Sequence, residues 1–102
     1  METEKIAVYA PPGIPASMVA AYIQRCLASL SEAEAALDRL DHNSLRSYGH
    51  RLKGSGGAYG IPRLTEIGSV MEEAAKRNDT AELQSQLATL EIYLNRLQTV
   101  PD

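Results

Sequence analysis

Leu45-Arg46-Ser47-Tyr48-Gly49-His50-Arg51-Leu52-Lys53-Gly54-Ser55-Gly56-Gly57-Ala58-Tyr59-Gly60 is the stretch on which the reading of the chain turns. Leu45, Tyr48, Leu52 and Tyr59 keep a helical spacing and predict one amphipathic helix up to Gly60, a residue suited to end it. Gly54, Gly56 and Gly57 interrupt that pattern, and at roughly 1 kcal/mol each relative to Ala they cost the helix about 3 kcal/mol. Bare backbone must therefore serve another purpose there, either the close approach of a second helix or room for another protein.

On a wheel of about 100° per residue, the four apolar residues fall about 140° to 180° from His50, so His50 points outward. Asn43, Arg46, Gly54 and Gly57 come within about 40° of it, and Lys53 within about 60°. The exposed stripe is an imidazole with cations above and below it and two glycines that leave the ring uncovered. A solvent-facing imidazole can attack an activated phosphoryl group, with Lys53 and Arg46 balancing the phosphate charge and Gly54 and Gly57 giving a partner room. This reading asks for no acid or base from the chain itself. The donor and acceptor chemistry, including the metal ion, is expected from other proteins.

Outward from that segment the same periodicity continues. Val19, Tyr22, Cys26, Leu30, Ala33, Leu37 and Leu40 mark a long helix from Ala16 to about Leu40, followed by the capping cluster Asp41-His42-Asn43-Ser44. Pro62 opens a third helix with Leu64, Ile67, Met71 and Ala75 inside, and Lys76-Arg77-Asn78 closes it. Asp79 and Glu82 form a capping box ahead of Leu83, Leu87, Leu90, Leu94 and Leu97, the seam of a fourth helix. Before Ala16, the apolar run Ile6-Ala7-Val8-Tyr9 and the breakers Pro11-Pro12-Gly13 and Pro15 predict an extended lead-in.

Helices joined by a few residues return beside one another. The expected architecture is all-α: an antiparallel up-down four-helix bundle over residues 16–98, behind an extended lead-in over 1–15. At 102 residues, 44% of them hydrophobic, the chain is expected to be a single domain, residues 1–102, with one core.

Composition narrows the function classes. A net charge of -3 argues against nonspecific nucleic-acid binding, yet no acidic residue lies between Asp41 and Glu66, where Arg46, Arg51, Lys53 and Arg63 fall. A locally basic region on an acidic protein suits an anion or an acidic partner. The lone Cys26 cannot form an internal disulfide, and Met1 to Lys5 are not a basic leader, so a cytoplasmic location is expected. No run of apolar residues is long enough to span a membrane. His42 and His50 with one cysteine elsewhere do not make zinc-ligand spacing, and Lys53-Gly54-Ser55-Gly56-Gly57 lacks the phosphate-loop spacing and its strand. No cofactor and no metal site are expected. His42 reads as a capping or solvated residue, Cys26 as core, and Gly68 as a point of tight helix packing.

His50-Arg51-Leu52-Lys53-Gly54-Ser55-Gly56-Gly57 resembles the signature of the histidine-containing phosphotransfer (HPt) domains: His, two residues, Lys, Gly and small residues. Tyr59-Gly60 resembles the ending of that helix. Leu64-Thr65-Glu66-Ile67-Gly68, Met71-Glu72-Glu73-Ala74-Ala75-Lys76 and Asn78-Asp79 resemble the following helix and turn. The likeness covers about Ala16 to Leu97. It departs at Gly56 and Gly57, where many members carry slightly larger small residues, which implies a locally looser helix.

The resemblance implies a bundle of four main helices, phosphorylation of His50, and docking of a response-regulator receiver over the Gly54 face. Lys53 is then the charge support for the phosphoryl group, and Arg46, Gly54, Gly57 and Arg51 are the partner contacts. The partners expected are a receiver domain and a sensor histidine kinase, hybrid kinases included. The protein is expected to be a monomeric phosphoryl carrier without autokinase activity, and a non-phosphorylated helical adaptor using the same face is the alternative. Met1 and a frayed Thr99-Val100-Pro101-Asp102 end favour a free-standing protein in this reading.

Overall fold

The computed structural model describes residues 4–102, so Met1 to Thr3 of the expected lead-in lie outside the described residues. Its elements in order are strand β1 (Ile6–Val8), α1 (Ala16–Asp38), α2 (His42–Gly56), a 3-10 turn (Gly57–Tyr59), α3 (Pro62–Lys76), α4 (Thr80–Arg96) and strand β2 (Leu97–Thr99). The chain is mostly helical. Each helix packs on its successor and α1 packs on α4. The core comes from the expected apolar stripes, with Val19, Leu45, Leu64, Ile67, Met71, Leu83 and Leu90 fully buried.

All three connections between helices close in the same way. Leu40 (φ 56°), Gly60 (φ 81°) and Asn78 (φ 56°) take left-handed backbone just past a helix. In each, the next amide reaches back to the helix: Asp41 N donates to Ala36 O (2.8 Å), Ile61 N to Gly56 O (2.9 Å) and Asp79 N to Ala74 O (2.8 Å). Asp41 and Asp79 then cap the next helix, accepting from Ser44 N and Glu82 N, each at 3.1 Å. His42 Nε2 lies 3.1 Å from Thr80 Oγ1, so the caps of α2 and α4 meet.

The α2–α3 contact is the closest of the helix pairs. A Cβ on Gly49 would stand 2.7 Å from Glu72 N and 2.8 Å from Gly68 O, and one on Gly56 would stand 2.7 Å from both Leu64 Cβ and Thr65 N. Only glycine lets the two backbones approach this far. Gly68 opposes Gly49 from the other helix, which is the packing role expected of it.

Four expectations are corrected. The chain is not all-α, because the lead-in forms β1 and pairs in parallel with β2, Ile6 opposite Leu97 and Val8 opposite Thr99. Leu97 therefore leaves the α4 seam, and α4 ends at Arg96 because β2 satisfies the next backbone groups instead. Nor is the C-terminal end frayed: Val100 N donates to Val8 O at 2.9 Å, and the Asp102 carboxylate accepts from Ala16 N at 3.0 and 3.2 Å. Asp102 thus caps α1, whose own cap residue, Pro15, offers no side-chain acceptor. Finally, α1 stops at Asp38, and Leu40 is 59% exposed in the turn rather than buried in the stripe.

Candidate functional site

His50 is on the outer side of α2, its side chain 72% exposed. Leu45, Tyr48 and Leu52 on the opposite side are buried in the core. Because Gly49 and Gly68 let α3 close onto α2, a side chain from α3 reaches the ring. Glu72 Oε2 lies 3.0 Å from His50 Nδ1, and Glu72 Oε1 lies 3.6 Å from Lys53 Nζ. The Glu72 side chain is only 9% exposed. Burial alone pushes its carboxyl up, but the His50 hydrogen bond, then the charges of His50, Lys53 and Lys76, outweigh this and hold it below the usual glutamate range.

An ionised carboxylate can only accept, so it is Nδ1–H of the ring that donates to Glu72. In the neutral ring Nε2 then carries the lone pair. His50 makes no second hydrogen bond among the described residues, so this nitrogen is left to solvent. The contact orients the ring and selects the tautomer in the way a carboxylate behind a metal-bound histidine does.

His50 and Glu72 share an open concavity of about 550 Å³ with Asn43, Arg46, Ser47 and Arg51. Arg46 and Arg51 are exposed at its rim. The guanidinium of Arg51 stands 6.0 Å from the centre of the Tyr48 ring. A Cβ on Gly54 would meet nothing within 4 Å, so this side of the stripe is open. Gly57 differs, since it lies in the 3-10 turn and a Cβ there would stand 3.5 Å from Thr65 Oγ1. Thr65 fastens this glycine-rich end: its hydroxyl accepts from Gly57 N and donates to Lys53 O, both at 2.8 Å.

Glu72 and Thr65 are the residues that sequence reasoning missed as parts of the site. An acid does come from this chain, where none was asked for. A signal existed, because Gly68 and Glu72 stand four apart beside the apolar stripe of α3, a place where a solvated acid is out of pattern. Thr65 carried no comparable signal.

Among the described residues no cluster of His, Cys, Asp or Glu could hold a metal ion, and no helix is long and apolar enough to cross a membrane. Comparisons with curated proteins and with solved structures each found no match. The family profile described as Hpt domain matches residues 17–100, from the first turn of α1 to just beyond β2. Hpt domains are phosphocarrier modules rather than enzymes, and they interact with receiver domains and kinases in phosphorelays. The match takes in all four helices and the His50–Glu72 contact between α2 and α3, and on it the chain belongs to the Hpt domain family, the phosphotransfer-type domains of two-component signalling.

Proposed function

We propose that the protein carries a phosphoryl group on His50 to or from the aspartate of a response-regulator receiver. The observation that carries this reading is the exposed ring whose Nδ1 is held by a buried carboxylate while Nε2 faces solvent. In the uptake step the Nε2 lone pair attacks the phosphorus of the receiver's aspartyl phosphate. The N–P bond forms, the P–O bond breaks, and the aspartate leaves as carboxylate. The Nδ1 proton stays on the ring, where Glu72 balances the positive charge that develops. Lys53 and Arg46 offset the charge of the transferred group, and Gly54 leaves the approach to the ring clear. The reverse step returns the phosphoryl group by the same path. A kinase is the second partner, and the metal ion and the ATP chemistry come with the partners, so the carrier performs no autokinase step.

The same reading takes the helices as an antiparallel up-down bundle. It is supported by Gly49 lying at Glu72 while Gly56, seven residues later, lies at Thr65 and Leu64, seven and eight residues earlier than Glu72. We take the working form to be a cytoplasmic monomer.

The test is acid-labile, base-stable phosphorylation of wild type and His50→Gln, with a phosphorylated receiver or a small phosphodonor and intact mass as readout. One phosphoryl group on wild type and none on His50→Gln is the expected result. A variant that still takes it up would sink the assignment, and no uptake by wild type would favour the adaptor.

A further inference from the structure

Lys53 carries its charge on a flexible four-carbon stem that is 47% exposed, so the ammonium reaches one place reliably only if the stem is held at its root as well as at its tip. The tip lies 3.6 Å from Glu72 Oε1. The root is held by α3 at two atoms. Gly68, without a Cβ, sits against Lys53 N, and the Thr65 hydroxyl donates to Lys53 O at 2.8 Å.

The second of these contacts is made inside the helix ladder. Gly57 stands four residues after Lys53, and in an unbroken α-helix its N–H donates to Lys53 O. Here it donates to Thr65 Oγ1 instead, also at 2.8 Å. One hydroxyl from α3 has thus taken both ends of a backbone hydrogen bond of α2, and at that point α2 gives way to the 3-10 turn. A threonine hydroxyl within a helix ordinarily bonds a carbonyl three or four residues back in its own helix; that of Thr65 crosses to the neighbouring one. Gly56 makes the crossing short enough, because a Cβ there would stand 2.7 Å from Thr65 N. With the hydroxyl removed, the last turn of α2 is free to close on itself, Gly57 N to Lys53 O, and the root of Lys53 moves with it.

We propose that Thr65 is a positioning residue for phosphoryl transfer: its hydroxyl, inserted in the last turn of α2, fixes the backbone from which Lys53 reaches the phosphoryl group. It rests on the reading of His50 as phosphoryl carrier and of Lys53 as its charge support. Thr65 touches neither the ring nor the transferred group, and all of its effect passes through Lys53.

The full chain is labelled at His50 with phosphoramidate, a donor with no docking surface, and transfer to purified receiver domains from the same genome is followed as receiver concentration rises. Thr65→Val keeps the shape of the side chain and removes both hydrogen bonds, so transfer at saturating receiver is expected to slow about fivefold. Thr65→Ser restores the hydroxyl and should return most of the rate. Thr65→Ala lacks the hydroxyl without a β-branch on α3 and should slow as Thr65→Val does, so a folding defect in one leaves the other to decide. Once the ammonium is gone its root no longer matters, so Thr65→Val added to Lys53→Ala should transfer no more slowly than Lys53→Ala alone. A hydroxyl that only stabilised the fold would lower the urea midpoint and leave the saturated rate of folded, labelled protein as in wild type. That unchanged rate in Thr65→Val and Thr65→Ala, a loss that Thr65→Ser does not recover, or a further slowing of Lys53→Ala by Thr65→Val overturns the proposal. If phosphoramidate labels no wild-type protein, or no receiver takes the group from it, the carrier reading itself falls and the role of Thr65 with it.

Discussion

Glu72 couples stability to pH as well as orienting His50. Its carboxyl is held below the usual glutamate value of 4.5 in the fold, so the contact stabilises the protein above that pH and is lost as pH falls through the lower folded value. Glu72→Gln should therefore shrink the difference between urea midpoints measured at neutral pH and at about pH 3. Equal pH dependence in the variant and wild type would show that the ion pair contributes nothing. Chemistry at His50 should respond as well. Glu72→Ala frees the ring and removes the acceptor that selects the tautomer, so phosphoramidate labelling should slow by about tenfold or more. Lys53→Ala keeps the tautomer and loses charge support. It should label normally in mass yet transfer more slowly, read as the rate at saturating receiver.

At the scale of the element, α2 divides its glycines between two purposes. Gly54 faces open space, so Gly54→Ala adds helix propensity without a clash and should stabilise the protein by about 1 kcal/mol. A bulky residue there should fold equally well and hinder receiver docking. Gly68, across the helix contact, faces the backbone of Lys53, Gly49 and Leu52. Gly68→Ala has no flexible neighbour to displace, so α3 must move off α2, at about 1–3 kcal/mol of stability. The same shift carries Glu72 away from His50, so labelling should slow together with the loss of stability. Urea midpoints of the two variants that moved in the same direction would contradict this division.

For the molecule as a whole, the helices are tied off at one end by the β1–β2 pair. The entire bundle lies between the two strands in sequence, so the pair joins the chain's two ends across it. Asp102 completes the tie by capping α1 through Ala16 N. Asp102→Ala should lower stability by about 1 kcal/mol with an unchanged denaturant slope, and speed exchange of the Ala16 amide. Slow exchange persisting in the variant would mean that another group holds that amide.

The helices were legible because burial of one face leaves a period in the sequence: Leu45, Tyr48 and Leu52, or Leu64, Ile67 and Met71, can face one way only on a helix. The outward placement of His50 follows from the same arithmetic, and Asp41, Gly60 and Asp79 were readable as caps because they satisfy backbone groups within a few residues. What lay outside local reach was decided by the tertiary structure. Ile6 pairs with Leu97 and Ala16 meets Asp102 only because the packed bundle brings distant segments together. Glu72 meets His50 for the same reason: two glycines on separate helices let the backbones close, and the depth of that approach is a property of the pair of helices and of neither alone.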